Sequence, residues 1–415
     1  MSIRKHFLMP VLYLMYMELC KLRRPMKILC AFDSFKDCMT SVEAGRAARD
    51  GILRNYPDAN VTVCPVADGG EGTVEALCFG LAGDAKQIRQ VLVTGPLGDK
   101  ITAEYVIIDK GEDKLAVMEM AAAAGLMLVP ANQRNPMNTT TYGVGEMIKD
   151  AIDQGCRRFI IGIGGSATND GGIGMLQALG YRFVDAHGDD IAFGGNGLCK
   201  LQDIYFEDTM PELRRCEFQI ACDVDNPLLG EHGCTYTFAP QKGATEEMQA
   251  KMELGMKRYS DLVEHMALCD EGPIKSTYRR DYPGAGAAGG IGYAFLMFLN
   301  GKLRPGVDII LNELNLEDQI KEVDIILTGE GKTDGQTAHG KTPVGVARLA
   351  KKHNKAVYVF SGAVTDDAMT LVNQGMFDGI YAITPEGMSL ENALRRETAM
   401  NNMMECVAKN TAALG

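Results

Sequence analysis

Short apolar runs alternate with amphipathic stretches along most of this chain, and that alternation confines it to the α/β class. The apolar runs predict strands over Lys27–Phe32, Val61–Val66, Leu115–Glu119, Arg158–Gly162, Phe218–Cys222, Val323–Thr328, Ala356–Phe360 and Gly379–Ile383. The intervening periodicity predicts helices over Ser41–Asn55, Thr73–Leu81, Tyr142–Gln154, Gly172–Leu179, Glu246–Met266, Gly289–Phe298, Val344–Lys352 and Asn392–Ala412. Thr40 or Ser41 is suited to cap the first helix, because a hydroxyl oxygen can accept from a free backbone N–H. One segment breaks the pattern: "VLVTGPLGDKITAEYVIID", Val91–Asp109, reads as two strands around the turn Gly95–Lys100. The glycine- and alanine-rich Asp281–Gly292 is expected to be a hinge between two lobes.

Five of the expected strands are followed by polar segments, three of them rich in glycine. These loops are "FDSFKDCMTS" (Phe32–Ser41), "PVADGGEGT" (Pro65–Thr73), "GIGGSATNDGGIG" (Gly162–Gly174), "CDVDNPL" (Cys222–Leu228) and "TGEGKTDGQ" (Thr328–Gln336). Open α/β sheets bind ligands beyond the carboxyl ends of their strands, so these loops are the expected site. Gly164, Gly165, Gly171 and Gly172 let backbone approach a ligand closely, while Ser166, Thr168 and Asn169 supply donors. The helix expected from Gly172 offers free N–H groups to an anion, and Asp170 could hold magnesium, accept a proton or simply cap that helix. Asp33, Ser34 and Lys36 lie within four residues, where the lysine suits a phosphate or carboxylate. Asp68 and Glu71 around Gly69 and Gly70 suit a metal ion or a hydroxyl. Asp223 is a candidate base, or a turn former ahead of Asn226-Pro227.

The run "ILTGEGKTDGQ" resembles a phosphate-binding P-loop until its spacing is counted. The Walker pattern needs a glycine five residues before the glycine of Gly331-Lys332-Thr333, and Ile326 stands there. Gly329, Glu330, Gly331, Lys332 and Asp334 must therefore act in some other way, with charges too mixed for a simple phosphate cradle. His339 nearby reads as a local hydrogen-bonder.

Bulk properties exclude other classes. A chain of 415 residues with 46% hydrophobic and 23% charged residues has material for two globular domains. A net charge of −12 disfavours nucleic acid and anionic membrane as partners. Twelve cysteines without a C-x-x-C, and six histidines without metal-ligand spacing, point to reduced thiols and a cytoplasmic protein. The apolar run Phe7–Met17 is too short to span a bilayer, and residues 1–25 are expected to be an extension upstream of a start at Met26.

With these segments laid out, the chain resembles the bacterial glycerate kinases of the two-domain α/β family. The resemblance is carried by "DSFKD", "PVADGGEGTVEAL", "VTGPLGDK", "EMAAAAGLMLVP", "GIGGSATNDGGIGMLQALG", "ACDVDNPLLG", "FAPQKGA", "PGAGAAGGIGYAFLMFL" and "LTGEGKTDGQTAHGKTPVGVA". It implies a flavodoxin-like (Rossmann-like) domain built from both chain ends, 26–63 plus 290–415, an inserted α/β domain, 64–289, and an active-site cleft between them. It also implies ATP- and magnesium-dependent phosphorylation of D-glycerate to 2-phosphoglycerate by a monomer or homodimer. On these residues Asp223 would be the base with Asp170 second. Lys36 and Gly164–Ser166 would face the glycerate, together with Asp33, Ser34 and Asp68–Glu71. Thr168, Asn169, Gly171, Gly172, Gly329–Lys332 and Asp334 would face the nucleotide, and Asp68, Asp170 or Glu330 the magnesium. A glycerate 3-kinase, a kinase of a related small sugar acid and a ligand sensor that kept the cleft are the alternatives. A nicotinamide oxidoreductase is disfavoured, since no G-x-G-x-x-G follows the opening strand.

Overall fold

The computed structural model describes residues 24–36, 38–69, 72–82, 86–109, 111, 114–269, 274, 277–335 and 341–411. They divide into two compact units. The described residues of Met1–Cys64, Leu316–Ala338 and Val346–Gly415 form one, and those of Pro65–Asn315 and His339–Gly345 form the other. Residues 1–23, Gly70, Glu71 and His339 lie outside the described residues.

The first unit is a five-stranded parallel sheet. Lys27–Phe32 lies between Asn60–Val63 and Ile325–Gly329, followed outward by Ala356–Ser361 and Gly379–Ala382. Numbered as they occur in this unit, the strands run 2-1-3-4-5, the flavodoxin-type order. Its topological switch point falls between the strands ending at Phe32 and Gly329, which run in register with Leu29 beside Ile326. "KILCAF" is buried after its first residue, as a central parallel strand covered on both faces must be. Thr40 caps the helix Ser41–Asn55 in a reciprocal box with Glu43, so Thr40 rather than Ser41 is the cap. That helix packs on Arg396–Thr411, where Gly51 lets it close in: a Cβ there would stand 2.5 Å from the Met404 carbonyl oxygen. The expected helix Asn392–Ala412 is divided, Leu390–Ala393 ending before Arg396–Thr411 begins.

Gly329 is the tightest point of this sheet. A Cβ at Gly329 would lie 1.8 Å from the Phe360 carbonyl oxygen on the neighbouring strand. Gly329→Ala is expected to cost at least 1–3 kcal/mol, a common overpacking penalty, read as a lower denaturation midpoint. An unchanged midpoint would mean that the strand ends are not this close.

The second unit holds a six-stranded mixed sheet. Its order is Lys302–Arg304, Glu217–Ala221, Arg158–Gly162, Lys114–Glu119, Lys100–Asp109 and Lys86–Thr94, the first four parallel and the last two an antiparallel hairpin. The expected hairpin thus exists, with its first strand beginning at Lys86 rather than Val91. The main apolar core of this unit runs from Met118 and Phe159 through Phe218 to Phe295 and Phe298.

Two expectations are corrected here. The resemblance placed residues 290–315 with the terminal domain, yet they group with the second unit, because Lys302–Arg304 extends its sheet and Phe295 fills its core. Asp281–Gly292 is no hinge. Its glycines enter the helix Ala287–Phe298 through a left-handed kink at Ala288–Gly290, and Gly289 and Gly290 are buried. A Cβ on Gly289 would meet the Thr168 carbonyl oxygen at 2.1 Å, and the Gly171 amide donates to the Gly289 carbonyl at 3.0 Å. The glycines serve close packing between two backbones. No described helix is long and apolar enough to cross a membrane.

Candidate active site

In the first unit the switch point is lined by the loops after Phe32 and Gly329. The Asp33 amide donates to the Gly329 carbonyl at 3.0 Å, and a Cβ on Gly331 would lie 3.8 Å from the Lys36 backbone nitrogen, so the loops are neighbours. Asp33 is buried, and its Oδ1 accepts from the Ser34 amide at 2.6 Å, which fixes the turn. Lys36 is exposed. Glu330 is 8% exposed and its Oε1 accepts from Thr333 Oγ1 at 3.3 Å; Thr333 Oγ1 in turn lies 2.7 Å from Ser361 Oγ. Glu330 therefore belongs to an enclosed hydroxyl–carboxylate network beneath the loop. Lys332 reaches outward and sits 3.4 Å from the partly buried Asp334. The segment that resembles a P-loop is thus an ordered wall of the switch-point crevice, with Lys36 and Lys332 as its outward cations.

In the second unit the carboxyl ends of four parallel strands, Glu119, Gly162, Ala221 and Arg304, open onto one edge. Asp68 and Gly69 cross that edge because glycines let them: a Cβ on Gly162 would stand 2.9 Å from the Gly69 carbonyl oxygen, and one on Gly306 2.0 Å from that of Asp68. Asp223 follows the strand Glu217–Ala221 and is exposed, while its Oδ1 accepts from the Gly306 amide at 3.0 Å, at the start of the helix Gly306–Glu313. Desolvation raises the Asp223 pKa, the Gly306 amide opposes that rise, and the carboxylates of Asp68 and Asp308 add to it. Three acidic side chains crowding one edge suit a divalent cation, which would relieve their repulsion. Among the described residues no group of three or more His, Cys, Asp or Glu could hold a metal ion by itself.

The long glycine loop divides into an outer and an inner half. Gly164 and Gly165 are exposed and Ser166 lies just beneath. Thr168, Asn169, Asp170, Gly171 and Gly172 are buried. Asp170 Oδ2 accepts from the Thr141 amide and hydroxyl, both at 2.9 Å, and Oδ1 from the Gly172 amide at 3.1 Å. Burial raises its pKa against these bonds. Asp170 therefore ties the loop to Thr141 and to the Gly172 amide, and both its oxygens accept from within the protein, which leaves the expected base or magnesium ligand buried rather than open to solvent. Gly171 and Gly172 give their amides to Gly289 and Asp170, and Asn169 donates to Thr235 Oγ1 at 3.2 Å, so these expected nucleotide contacts are engaged within the protein.

Several residues at these edges were not singled out by sequence. Asp308 and Gly306 follow a three-residue strand too short to register as a pattern. Thr139–Thr141, all buried, underlie the loop. Lys242, in "FAPQKGA", is 1% exposed and donates to Ser166 Oγ at 2.7 Å and to the Thr168 carbonyl at 2.6 Å. Burial pushes its pKa down to about 8, with Cys234 and Asp170 opposing the shift.

The chain thus holds a flavodoxin-type parallel sheet and a second α/β unit, each with polar loops at its strand ends, the class of α/β folds that bind ligands there. The family model for the glycerate kinase family matches residues 28–414. Glycerate 2-kinase from Escherichia coli K12 is 44% identical over 370 residues, 89% of this chain and 93% of the relative. Glycerate kinase from Bacillus subtilis 168 is 42% identical over 388 residues, 94% of this chain and 97% of that one. A crystal structure of a putative glycerate kinase 2 from Salmonella typhimurium LT2 superposes with a TM-score of 0.83 at 41% identity, covering 94% of this chain and 98% of the other. The chain belongs to the glycerate kinase family and, with it, is a kinase.

Proposed function

We propose that this kinase transfers the γ-phosphoryl group of ATP to the 2-hydroxyl of D-glycerate, giving 2-phosphoglycerate and ADP. The supporting observation is Asp223: an exposed carboxylate at a strand end, oriented by the Gly306 amide and raised in pKa beside Asp68 and Asp308. A carboxylate so placed is suited to accept the hydroxyl proton as the oxygen attacks phosphorus and the β–γ bridging oxygen leaves with ADP. Asp68 is the carboxylate we assign to magnesium, which when bound supplies charge neutralisation to the triphosphate. Gly164, Gly165 and Ser166 are assigned to the carboxylate of the acceptor, since exposed glycines admit a close approach and the serine adds a donor. In the other unit, Lys36 and Lys332 are assigned to anionic groups at the switch point.

The test is a turnover assay with ATP, magnesium and D-glycerate, followed by phosphorus NMR of the product. A secondary phosphate ester on C2 is expected. A primary ester on C3 would make the chain a 3-kinase, and no ADP release with D-glycerate would remove this acceptor.

A further inference from the structure

A buried lysine lies beneath the outer half of the glycine loop; Asp170 acts on it through space, but among the described residues no carboxylate forms an ion pair with it. Lys242 is 1% exposed, and among the described residues none of its ion-pair distances reaches an acidic side chain. Its ammonium donates instead to Ser166 Oγ at 2.7 Å and to the Thr168 carbonyl at 2.6 Å. Burying an ammonium against neutral acceptors costs stability, so packing alone does not account for a lysine here. Its consequence for Ser166 is directional. A hydroxyl that accepts from an ammonium cannot donate to it, so its own hydrogen must find another acceptor. Among the described residues none takes it, although Ser166 is only 7% exposed.

We propose that Lys242 is a positioning residue for the phosphoryl acceptor: it holds Ser166 from behind and turns the serine hydroxyl hydrogen outward, to donate to the acceptor's carboxylate beside Gly164 and Gly165. The ammonium also polarises that hydroxyl, which strengthens the outward bond. This inference rests on the reading of the acceptor as D-glycerate, and it adds that recognition of the carboxylate depends on a residue that never touches it. Lys242 bonds the loop at two points, so it fixes the serine's orientation as well as its polarity.

The test is a double-mutant cycle with Lys242→Met and Ser166→Ala, reading KM for D-glycerate and for ATP separately. Each single variant is expected to raise the D-glycerate KM about tenfold, as loss of a hydrogen bond to a charged group does. The ATP KM should stay within about twofold, and the double variant should be no worse than either single one. Multiplying effects, an equal rise in both KM values, or a native D-glycerate KM in Lys242→Met would overturn the proposal. Should Lys242→Met fail to show a cooperative melt, Ser166→Ala decides alone: a raised D-glycerate KM with unchanged ATP KM supports the proposal, and a native D-glycerate KM overturns it. Wild-type protein that turns over D-glycerate while the cycle is additive sinks only this inference. Wild-type protein inert toward D-glycerate sinks the functional reading, and this inference with it.

Discussion

Asp223→Asn is expected to lower kcat at least tenfold, and by as much as about 10²–10⁴-fold if proton removal is fully rate-determining. The amide keeps an oxygen to accept from the Gly306 amide, so the loop geometry survives while the basic group is lost. KM for either substrate should change modestly, because the lost interaction belongs to the transition state. The pH profile gives a second reading. A base must be ionised to work, and partial desolvation together with Asp68 and Asp308 raises this carboxylate's pKa. The acid limb of kcat/KM in the native enzyme should therefore fall above the ordinary aspartate range and vanish in the variant. Near-normal turnover of Asp223→Asn would take this residue out of the mechanism.

Gly306→Ala is expected to disturb both the packing of the second unit and its site. Its Cβ would stand 2.0 Å from the Asp68 carbonyl oxygen and 2.6 Å from the Gly69 Cα, both of them backbone. Backbone cannot rotate out of the way as a side chain can, so either the Asp68–Gly69 crossing or the start of the helix Gly306–Glu313 must move. Stability is expected to fall by about 1–3 kcal/mol. Turnover should fall further than that loss implies, because the same amide orients Asp223 and the same crossing carries Asp68. Melting and steady-state kinetics on one preparation would separate the two effects. A variant native in both would show that these backbones are not packed together.

Much of the fold was legible because strand and helix periods are local. Lys27–Phe32, Arg158–Gly162 and the helix Ser41–Asn55 occur with the boundaries their patterns predict. The strand Lys302–Arg304 and the helix Gly306–Glu313 were missed, since three residues of mixed polarity carry no period and gain strand geometry only by pairing with Glu217–Ala221. The run Asp281–Gly292 was misread for a similar reason. Glycine signals permission for unusual backbone, and the sequence does not say whether that permission is used for motion or for contact.

The site divides in the same way. Sequence alone determined that polar segments, some of them glycine-rich, follow five of the strands, and so which end of each sheet is the candidate for chemistry, because a strand's direction and its following loop are written consecutively. Only the tertiary structure decided which of those polar side chains look outward. Asp170 and Asp223 are indistinguishable as aspartates after a strand. Thr141, 29 residues away in the chain, closes over the first, while the second is left exposed on the Gly306 amide. Lys242 reads as an ordinary surface charge until the loop of Ser166 is packed on it. Burial is a property of distant segments meeting, so no local pattern encodes it.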